Sequence, residues 1–156
     1  MTAQEIEKRI PHRPPMRLLD EIVSLDGGRI VCRKTFSAEE FFVRGHFPDY
    51  PIVPGVIQCE CCLQAGAILL SEQTPTVGEF VPVATRMDGV KFKRIVRPGD
   101  TAEIHVEMKE RLGSAYFLSG KLMVDGKIAT RLEFACSVTR PRESSAGADP
   151  GGEAPA

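Results

Sequence analysis

The segment that decides the fold is VIQCECCLQAGAILL, the apolar run from Val56 to Leu70. It contains no proline and a single glycine, and its length favours a buried helix over a strand. Pro54 lies just before it, at a position that suits the first turn of a helix. Because apolar side chains occupy every face of the run, other elements must surround it.

The segments around this helix have the alternation of strands. In TAEIHVEMK, which begins at Thr101, every second residue is apolar, as in a strand with one buried face. Asp125 and Gly126 form a strong hairpin signal, and a break is expected near Gly89. The strand-like segments are Arg29–Phe36, Val81–Ile95 (one strand or two), Thr101–Lys109, Ser114–Val124 and Lys127–Arg140. The sequence therefore predicts an α+β fold, with a mostly antiparallel sheet wrapped around one long central helix.

The composition is that of an ordinary globular domain. The chain has 156 residues, of which 42% are hydrophobic, enough for one domain with a real core. A net charge of −1 gives no overall field that would favour nucleic acid or a membrane surface. We expect one domain over residues 1–142 and a disordered tail over residues 143–156, where glycine, proline and small polar residues predominate.

Targeting signals are not visible in the sequence. The N-terminal stretch MTAQEIEKRIPHRPP has no apolar run of the kind that a secretory signal requires. No segment approaches the roughly 20 apolar residues that cross a bilayer. The sequence therefore predicts a cytoplasmic protein without membrane insertion.

The cysteines do not predict a disulfide framework or a metal site. The chain has 5 cysteines, and Cys59, Cys61 and Cys62 crowd into the motif CECC. A four-ligand zinc site takes paired ligands from two separate places, and no CxxC pair is present. We therefore expect buried thiols that behave as small hydrophobic side chains, and no metal.

A second segment, GHFPDYPIVPGVIQCE from Gly45 to Glu60, carries the candidate chemistry. The side chains in it that readily exchange a proton near neutral pH are His46 and Glu60. Its prolines restrict the backbone, so a histidine there can be held in one geometry. Gly55 lies at the predicted start of the helix, where backbone N–H groups are unpaired and the dipole favours negative charge. That arrangement suits an oxyanion site.

The two side chains suggest opposite roles. Glu60 lies in an apolar part of the helix, and we expect burial to raise its pKa and keep part of it protonated as a general acid. Imidazole gains and loses its proton near neutral pH, so His46 could serve as the base. Such a pair suits proton abstraction next to a carbonyl with loss of a leaving group. The residues alone leave a second interpretation open, in which His46 is a turn residue and Glu60 has a structural partner or lies at the surface.

The same segment resembles a known family. GHFPDYPIVPGVIQCE is similar to the GHFPxxPxxPGVxxxE signature of 3-hydroxyacyl-[acyl-carrier-protein] dehydratases of the FabZ type. IPHRPPMRLLDEIVSLDGGRIVCRK and MDGVKFKRIVRPGDTAEIHVEM resemble other parts of that family, so that the likeness extends from Ile10 to Val138. It implies a hot-dog fold. It also implies dehydration of a (3R)-3-hydroxyacyl thioester to a trans-2-enoyl thioester in fatty-acid biosynthesis.

The resemblance implies a role for each residue of the site. His46 would remove the C2 proton, and Glu60 would protonate the departing hydroxyl directly or through water. The backbone N–H of Gly55 would polarise the thioester carbonyl, and the carbonyl of Ile52 would orient the His46 ring. Gln64 would be a partner of Glu60 or a polar residue at a subunit contact. No metal or organic cofactor is expected, because the thioester supplies the carbon acidity.

The resemblance also implies partners. Active sites in this family form between two subunits, which predicts a homodimer, with a trimer of dimers as the favoured assembly. Acyl carrier protein is acidic, so a basic patch could dock it, although the same residues also suit a solvated strand face. The predicted docking residues are Lys91, Lys93, Arg94 and Arg97.

The remaining signals are weaker. Phe80 could gate an acyl tunnel or simply anchor its loop. His12 is interpreted as a structural residue and His105 as an exposed one. The alternative functions are a hot-dog acyl thioesterase and a non-catalytic acyl-carrier or lipid-binding module, but the presence of both His46 and Glu60 favours the dehydratase.

Overall fold

A computed structural model of the chain describes residues 1–74 and 79–140. The predicted disordered tail, residues 143–156, lies outside the described residues. The helices are α1 (Ala3–Arg9), α2 (Phe41–Arg44) and α3 (Gly55–Ser71). The strands are β1 (Glu21–Asp26), β2 (Arg29–Thr35), β3 (Val81–Phe92), β4 (Thr101–Leu112), β5 (Ala115–Val124) and β6 (Lys127–Thr139).

The strands form one six-stranded sheet in the order β1-β2-β4-β5-β6-β3, with every neighbouring pair antiparallel. β5 and β6 form the predicted hairpin, and Asp125 and Gly126 both have positive φ at its turn, 51° and 72°. The predicted break near Gly89 is an irregularity in the pairing of β3 with β6, between Asp88 and Lys91. β3 is therefore one strand with a bulge, not two strands.

The long helix α3 lies across the sheet and packs against β2, β3, β4, β5 and β6. Most of its side chains are buried, which confirms the prediction of a helix enclosed by the sheet. Gly66 sets the spacing between the two layers, because a Cβ atom there would lie 2.8 Å from the ring of Phe134 on β6. The structure confirms the predicted α+β class.

The thiols of α3 are part of the core. Cys59 is 4% exposed, and Cys61 and Cys62 are fully buried, which confirms the prediction that they pack as small hydrophobic side chains. Burial raises the pKa of Cys62 well above the usual range for a thiol. Burial also raises the pKa of Cys32 on β2, to about 12. These groups are therefore protonated at neutral pH.

Three short elements were not predicted from the sequence. α1 begins with a capping box between Thr2 and Glu5 and buries Ile6 against the core. α2 is a single turn that buries Phe42 and Val43 just before the candidate catalytic segment. β1 pairs with β2 at one edge of the sheet. Each is too short to show a clear hydrophobic period, and long-range packing stabilises it.

Candidate active site

The backbone after α2 holds His46 in place. The backbone N–H of His46 donates to the Val43 carbonyl at 3.0 Å, and the His46 carbonyl accepts from the N–H of Ile52 at 2.9 Å. The ring nitrogen Nδ1 lies 3.2 Å from the carbonyl oxygen of the same Ile52. Because a carbonyl only accepts, Nδ1 carries the proton and Nε2 is left with the free lone pair. The His46 ring is therefore held in the tautomer in which Nε2 can accept a proton.

The segment that carries His46 is fastened to the strand-rich half of the chain. The N–H of Val53 donates to the Val96 carbonyl at 2.8 Å. The Arg97 guanidinium donates to the Tyr50 hydroxyl at 2.8 Å and also lies over the Tyr50 ring. These contacts hold the middle and the C-terminal part of the proline-rich loop, and its prolines further restrict the backbone.

Gly55 begins α3 and lies under an aromatic ring. A Cβ atom at this position would lie 2.7 Å from two ring carbons of Phe92, so a larger residue would displace the end of β3. Among the described residues the N–H of Gly55 donates no backbone hydrogen bond, whereas that of Ile57 already donates to the Pro54 carbonyl. The Gly55 N–H lies at the positive end of the helix. The amide of Gly55 is therefore of the kind that stabilises a developing oxyanion.

Glu60 lies on the face of α3 that the sheet leaves partly open. Val56 is 73% exposed on the same helix, and Ile57 and Leu63 are only partly buried. The Glu60 side chain is 23% exposed. An apolar face with one carboxylate in it is unusual for a surface in contact with water, and it suggests that this face has a further partner.

Gln64 lies one turn beyond Glu60, and both the oxygen and the nitrogen of its side-chain amide have hydrogen-bond partners. Its side-chain oxygen accepts from the N–H of Leu18 at 3.0 Å. Its side-chain nitrogen donates to the carbonyl of Met16 at 2.8 Å and to Oε1 of Glu60 at 2.9 Å. Gln64 is 1% exposed, so these partners fix the orientation of its amide.

His12 is a second neighbour of Glu60, and the sequence interpretation missed this contact. Its Nε2 lies 3.5 Å from Oε1 of Glu60. The signal was available, because IPHRPP places a histidine in the same kind of stiff proline-rich backbone that indicated His46. Sequence separation hid the contact with α3.

The prediction that Glu60 has a raised pKa is wrong. Burial does act to raise the pKa of Glu60, but hydrogen bonds from His12 and Gln64 and the charge of His12 outweigh it and hold the pKa below its ordinary value of 4.5. In the single chain Glu60 is therefore a carboxylate at neutral pH. The sequence indicated burial but not the donors that surround the group.

The two candidate catalytic side chains do not meet within one chain. Among the described residues, no hydrogen bond or ion pair joins His46 to Glu60. His46 contacts Ile52 and stacks on Phe47, whereas Glu60 contacts Gln64 and His12. Each side chain is oriented by its own surroundings.

Comparison with known proteins identifies the family. The model of the FabA-like domain matches residues 10–133. The 3-hydroxyacyl-[acyl-carrier-protein] dehydratase FabZ of Oenococcus oeni is 43% identical over 133 residues, which cover 83% of this chain and 93% of the relative. The chain belongs to the FabZ family of dehydratases. This confirms the resemblance seen in the sequence.

Solved structures show the fold of the FabZ family chain but not its function. A dehydratase heterocomplex from Xenorhabdus doucetiae has a TM-score of 0.74 at 14% identity, covering 89% of this chain and 92% of that chain. A variant of a thioesterase enzyme from Staphylococcus aureus has a TM-score of 0.63, also at 14% identity, covering 78% of this chain and 93% of that chain. Proteins with different activities therefore share this architecture, which confirms the hot-dog fold and leaves the chemistry to the site.

The other predicted site residues of this FabZ family member lie in several places. Arg97 contacts the His46 loop through Tyr50. Lys91 instead lines a cavity of about 690 Å³ on the sheet face turned away from α3. Lys93 and Arg94 are exposed after the end of β3.

Two aromatic side chains outside the His46 loop have their own contacts. Phe80 is half-buried, and the Arg140 guanidinium lies 5.1 Å from the centre of its ring. His105, predicted to be exposed, is 33% exposed and lies 3.4 Å from Glu103 through Nε2. Neither residue contacts His46 or Glu60 among the hydrogen bonds and ion pairs of the described residues. No helix within residues 1–74 and 79–140 is long and apolar enough to cross a membrane.

Proposed function

We propose that this protein dehydrates (3R)-3-hydroxyacyl-[acyl-carrier-protein] to trans-2-enoyl-[acyl-carrier-protein] and water in fatty-acid biosynthesis. The observation that carries the proposal is the 43% identity to a FabZ dehydratase over 133 residues. That alignment spans nearly the whole folded chain, and the likeness includes the full spaced motif with His46, Gly55 and Glu60. A cytoplasmic location is part of the same proposal.

His46 removes the C2 proton in the proposed reaction. Its Nδ1–H donates to the Ile52 carbonyl, so the lone pair on Nε2 is available to the substrate. The amide of Gly55 donates to the thioester oxygen, where negative charge develops as the proton leaves. The positive end of α3 adds to this stabilisation.

Glu60 completes the elimination by protonating the C3 hydroxyl, for which its Oε2 must first take up a proton. In the single chain Glu60 is a carboxylate, and in the proposal the acyl chain and a second subunit exclude water from the site and so favour its protonated form. The C3–O bond then breaks and its electron pair leaves with water, while the C2–H electrons form the new double bond. In the proposal Glu60 acts on a substrate that His46 of a second chain deprotonates, since one chain does not bring the two side chains together. The site would then lie between two subunits.

A homodimer is part of the proposal, and two surfaces of the chain support it. The first is the open face of α3 around Val56 and Glu60. The second is the edge strand β3, whose exposed apolar side chains include Val83 and Met87. A long exposed edge strand of this kind is a template for pairing with another strand. Assembly of three such dimers into a hexamer is the further proposal.

Acyl carrier protein is the proposed carrier of the substrate. Arg97 is the best placed of the four basic residues, because it lies against the loop that carries His46. An acidic partner docked there would present its acyl group to the site. Lys93 and Arg94 extend the same exposed stretch of chain, whereas Lys91 faces the outer cavity and is the weakest candidate.

The direct test is an assay with a 3-hydroxybutyryl or crotonyl thioester of acyl carrier protein, followed by enoyl absorbance. We expect interconversion by the native protein. His46→Ala and Glu60→Ala should each lose at least about 100-fold in kcat while circular dichroism shows an intact fold. Release of free thiol without enoyl formation would instead indicate a thioesterase and contradict the proposal.

A further inference from the structure

The two oxygens of Glu60 have different surroundings. Gln64 donates to Oε1 at 2.9 Å, and Nε2 of His12 lies 3.5 Å from the same oxygen. Within the described residues, no contact of this kind is made by Oε2. One oxygen is therefore held by the protein, and the other is free to act.

Gln64 cannot present its acceptor to Glu60. Turning the amide around would bring its oxygen against the carbonyl of Met16 and its nitrogen against the N–H of Leu18, two repulsive contacts in a buried site. The amide therefore donates to Oε1. A proton on Glu60 must then reside on Oε2, because Oε1 is engaged as an acceptor.

The His12 ring is restricted in a similar way. Its Nδ1 is shielded from solvent and has no hydrogen-bond partner among residues 1–74 and 79–140. A buried N–H without an acceptor is costly, whereas a bare ring nitrogen is less so. The favoured neutral ring therefore carries its hydrogen on Nε2, which points at Glu60.

We propose that His12 is a positioning residue for the acid of the site: with Gln64 it holds Oε1 of Glu60 and leaves Oε2 to protonate the departing hydroxyl. The inference rests on the proposed role of Glu60. It gives the N-terminal segment a task in the reaction, since His12, Met16 and Leu18 all lie on it and all connect to Glu60 or Gln64. The lowered pKa of Glu60 has the sign that such donors produce.

Other charged groups near this cluster already have partners. Arg13 and Arg17 lie on the same N-terminal segment and both pair with Glu7 of α1. Lys34 of β2 pairs with Asp20 and Glu40. On α3 itself Glu60 lies between the thiols Cys59 and Cys61 along the chain, and Gln64, one turn on, carries no titratable group. His12 is therefore the titratable group that faces Glu60 within the described chain.

The test compares three variants of the full-length protein. His12→Ala removes the donor, and His12→Gln keeps a side-chain N–H that can reach Oε1. His105→Ala is the matched control, because it removes a histidine 3.4 Å from a carboxylate on the outer face of the sheet. Thermal unfolding of each variant by circular dichroism verifies that it is folded.

The first readout is the carboxyl pKa of Glu60, measured by ¹³C NMR of protein that carries ¹³C-labelled glutamate. The Glu60 signal is identified as the one that is missing from the spectrum of Glu60→Gln. We expect the pKa of Glu60 to rise in His12→Ala and to stay as in the native protein in His105→Ala. An unchanged titration of Glu60 in His12→Ala would overturn the inference. This readout does not require dehydratase activity, so it remains decisive even if the proposed function fails.

The second readout is kinetic. In His12→Ala we expect kcat to fall by roughly 10- to 100-fold with little change in KM, because the acid is misplaced but the thioester still binds. The limb of the pH–rate profile that follows loss of the Glu60 proton should move to higher pH. His12→Gln should recover most of kcat. Equal loss in His12→Gln and His12→Ala, or no loss in either, would contradict the positioning role.

Discussion

At the scale of single residues, the site depends on how Glu60 is held. A buried carboxylate is stable only where donors replace the water that it loses, and here the donors come from an amide and an imidazole. The same contacts that orient the proposed acid also lower its pKa. If Glu60 has the proposed role, catalytic geometry and folding stability are coupled at this position.

That coupling predicts how stability varies with pH. The pKa of Glu60 is lower in the folded chain than its ordinary value of 4.5. At pH values between the folded pKa and 4.5, the unfolded chain therefore binds more protons than the folded chain. The contribution of Glu60 is fully present above pH 4.5 and is lost as pH falls through the lower folded pKa. We expect Glu60→Gln to reduce the slope of unfolding free energy against pH in this acidic window, measured by urea denaturation at fixed protein concentration.

Glu107 provides the control for this measurement. Hydrogen bonds from Lys109 and Arg29 also lower its pKa, but its side chain is more exposed than that of Glu60, 36% against 23%. Its effect should disappear at about 1 M salt, where the Debye length is near 3 Å, whereas the effect of the partly buried Glu60 should persist. Identical salt dependence for Glu60→Gln and Glu107→Gln would show that Glu60 behaves as a surface carboxylate.

The residues of the candidate site were predictable to the extent that their local sequence constrains them. His46, Gly55 and Glu60 stand in one short motif, and stiff backbone together with a helix start is visible there from the sequence. His12 was missed because its contact with Glu60 spans the β1–β2 hairpin and α2, and no local pattern encodes it. The direction of the pKa shift of Glu60 was predicted wrongly for the same reason. An apolar sequence indicates burial, but it does not indicate hydrogen-bond donors that come from distant parts of the chain.

At the scale of elements, the distance between α3 and the sheet is set by close contacts. Intrinsic propensity predicts that Gly66→Ala stabilises a helix by roughly 1 kcal/mol. Packing predicts the opposite, because the new methyl group would lie 2.8 Å from the buried ring of Phe134. We expect the steric cost to exceed the gain in helix propensity, so that Gly66→Ala lowers the unfolding free energy by about 1–3 kcal/mol in a urea titration.

A double variant separates these two contributions. Gly66→Ala with Phe134→Leu gives the methyl group room, so it should be more stable than the sum of the single changes predicts. A Gly66→Ala protein that is more stable than the native chain would mean that the sheet yields easily and that the close contact does not determine the spacing.

The elements that sequence reasoning found are those with a long repeating pattern. α3 and the strands after it have many residues of one period, and their ends were predicted within a few positions. α1, α2 and β1 are short, and each is stabilised by the core it joins, through Ile6, Phe42 and Ile22. The pairing order β1-β2-β4-β5-β6-β3 also depends on long-range contacts, which alternation along one strand cannot specify.

At the scale of the whole molecule, the single chain looks incomplete. The proposed base, His46, and the proposed acid, Glu60, are each oriented but do not meet. The face of α3 around Glu60 is partly open, and β3 exposes apolar side chains at the sheet edge. A second copy that covers these surfaces would account for all three observations. Periodicity and spacing along one chain do not indicate a site shared between subunits; the resemblance to the family is what implied it.

Subunit complementation tests this dimer directly. His46→Ala and Glu60→Ala homodimers should each be nearly inactive, because every site lacks its base or its acid. In a mixed dimer, one of the two sites receives native His46 from one chain and native Glu60 from the other. Refolding the two variants together in equal amounts should therefore restore roughly a quarter of native activity, since about half of the dimers are mixed and each has one intact site. If both side chains of a site came from the same chain, every site would contain one substitution, and the mixture would stay as inactive as its components. The baseline is a mixture of Glu60→Ala with the double variant His46→Ala/Glu60→Ala, because neither of these chains has a native Glu60.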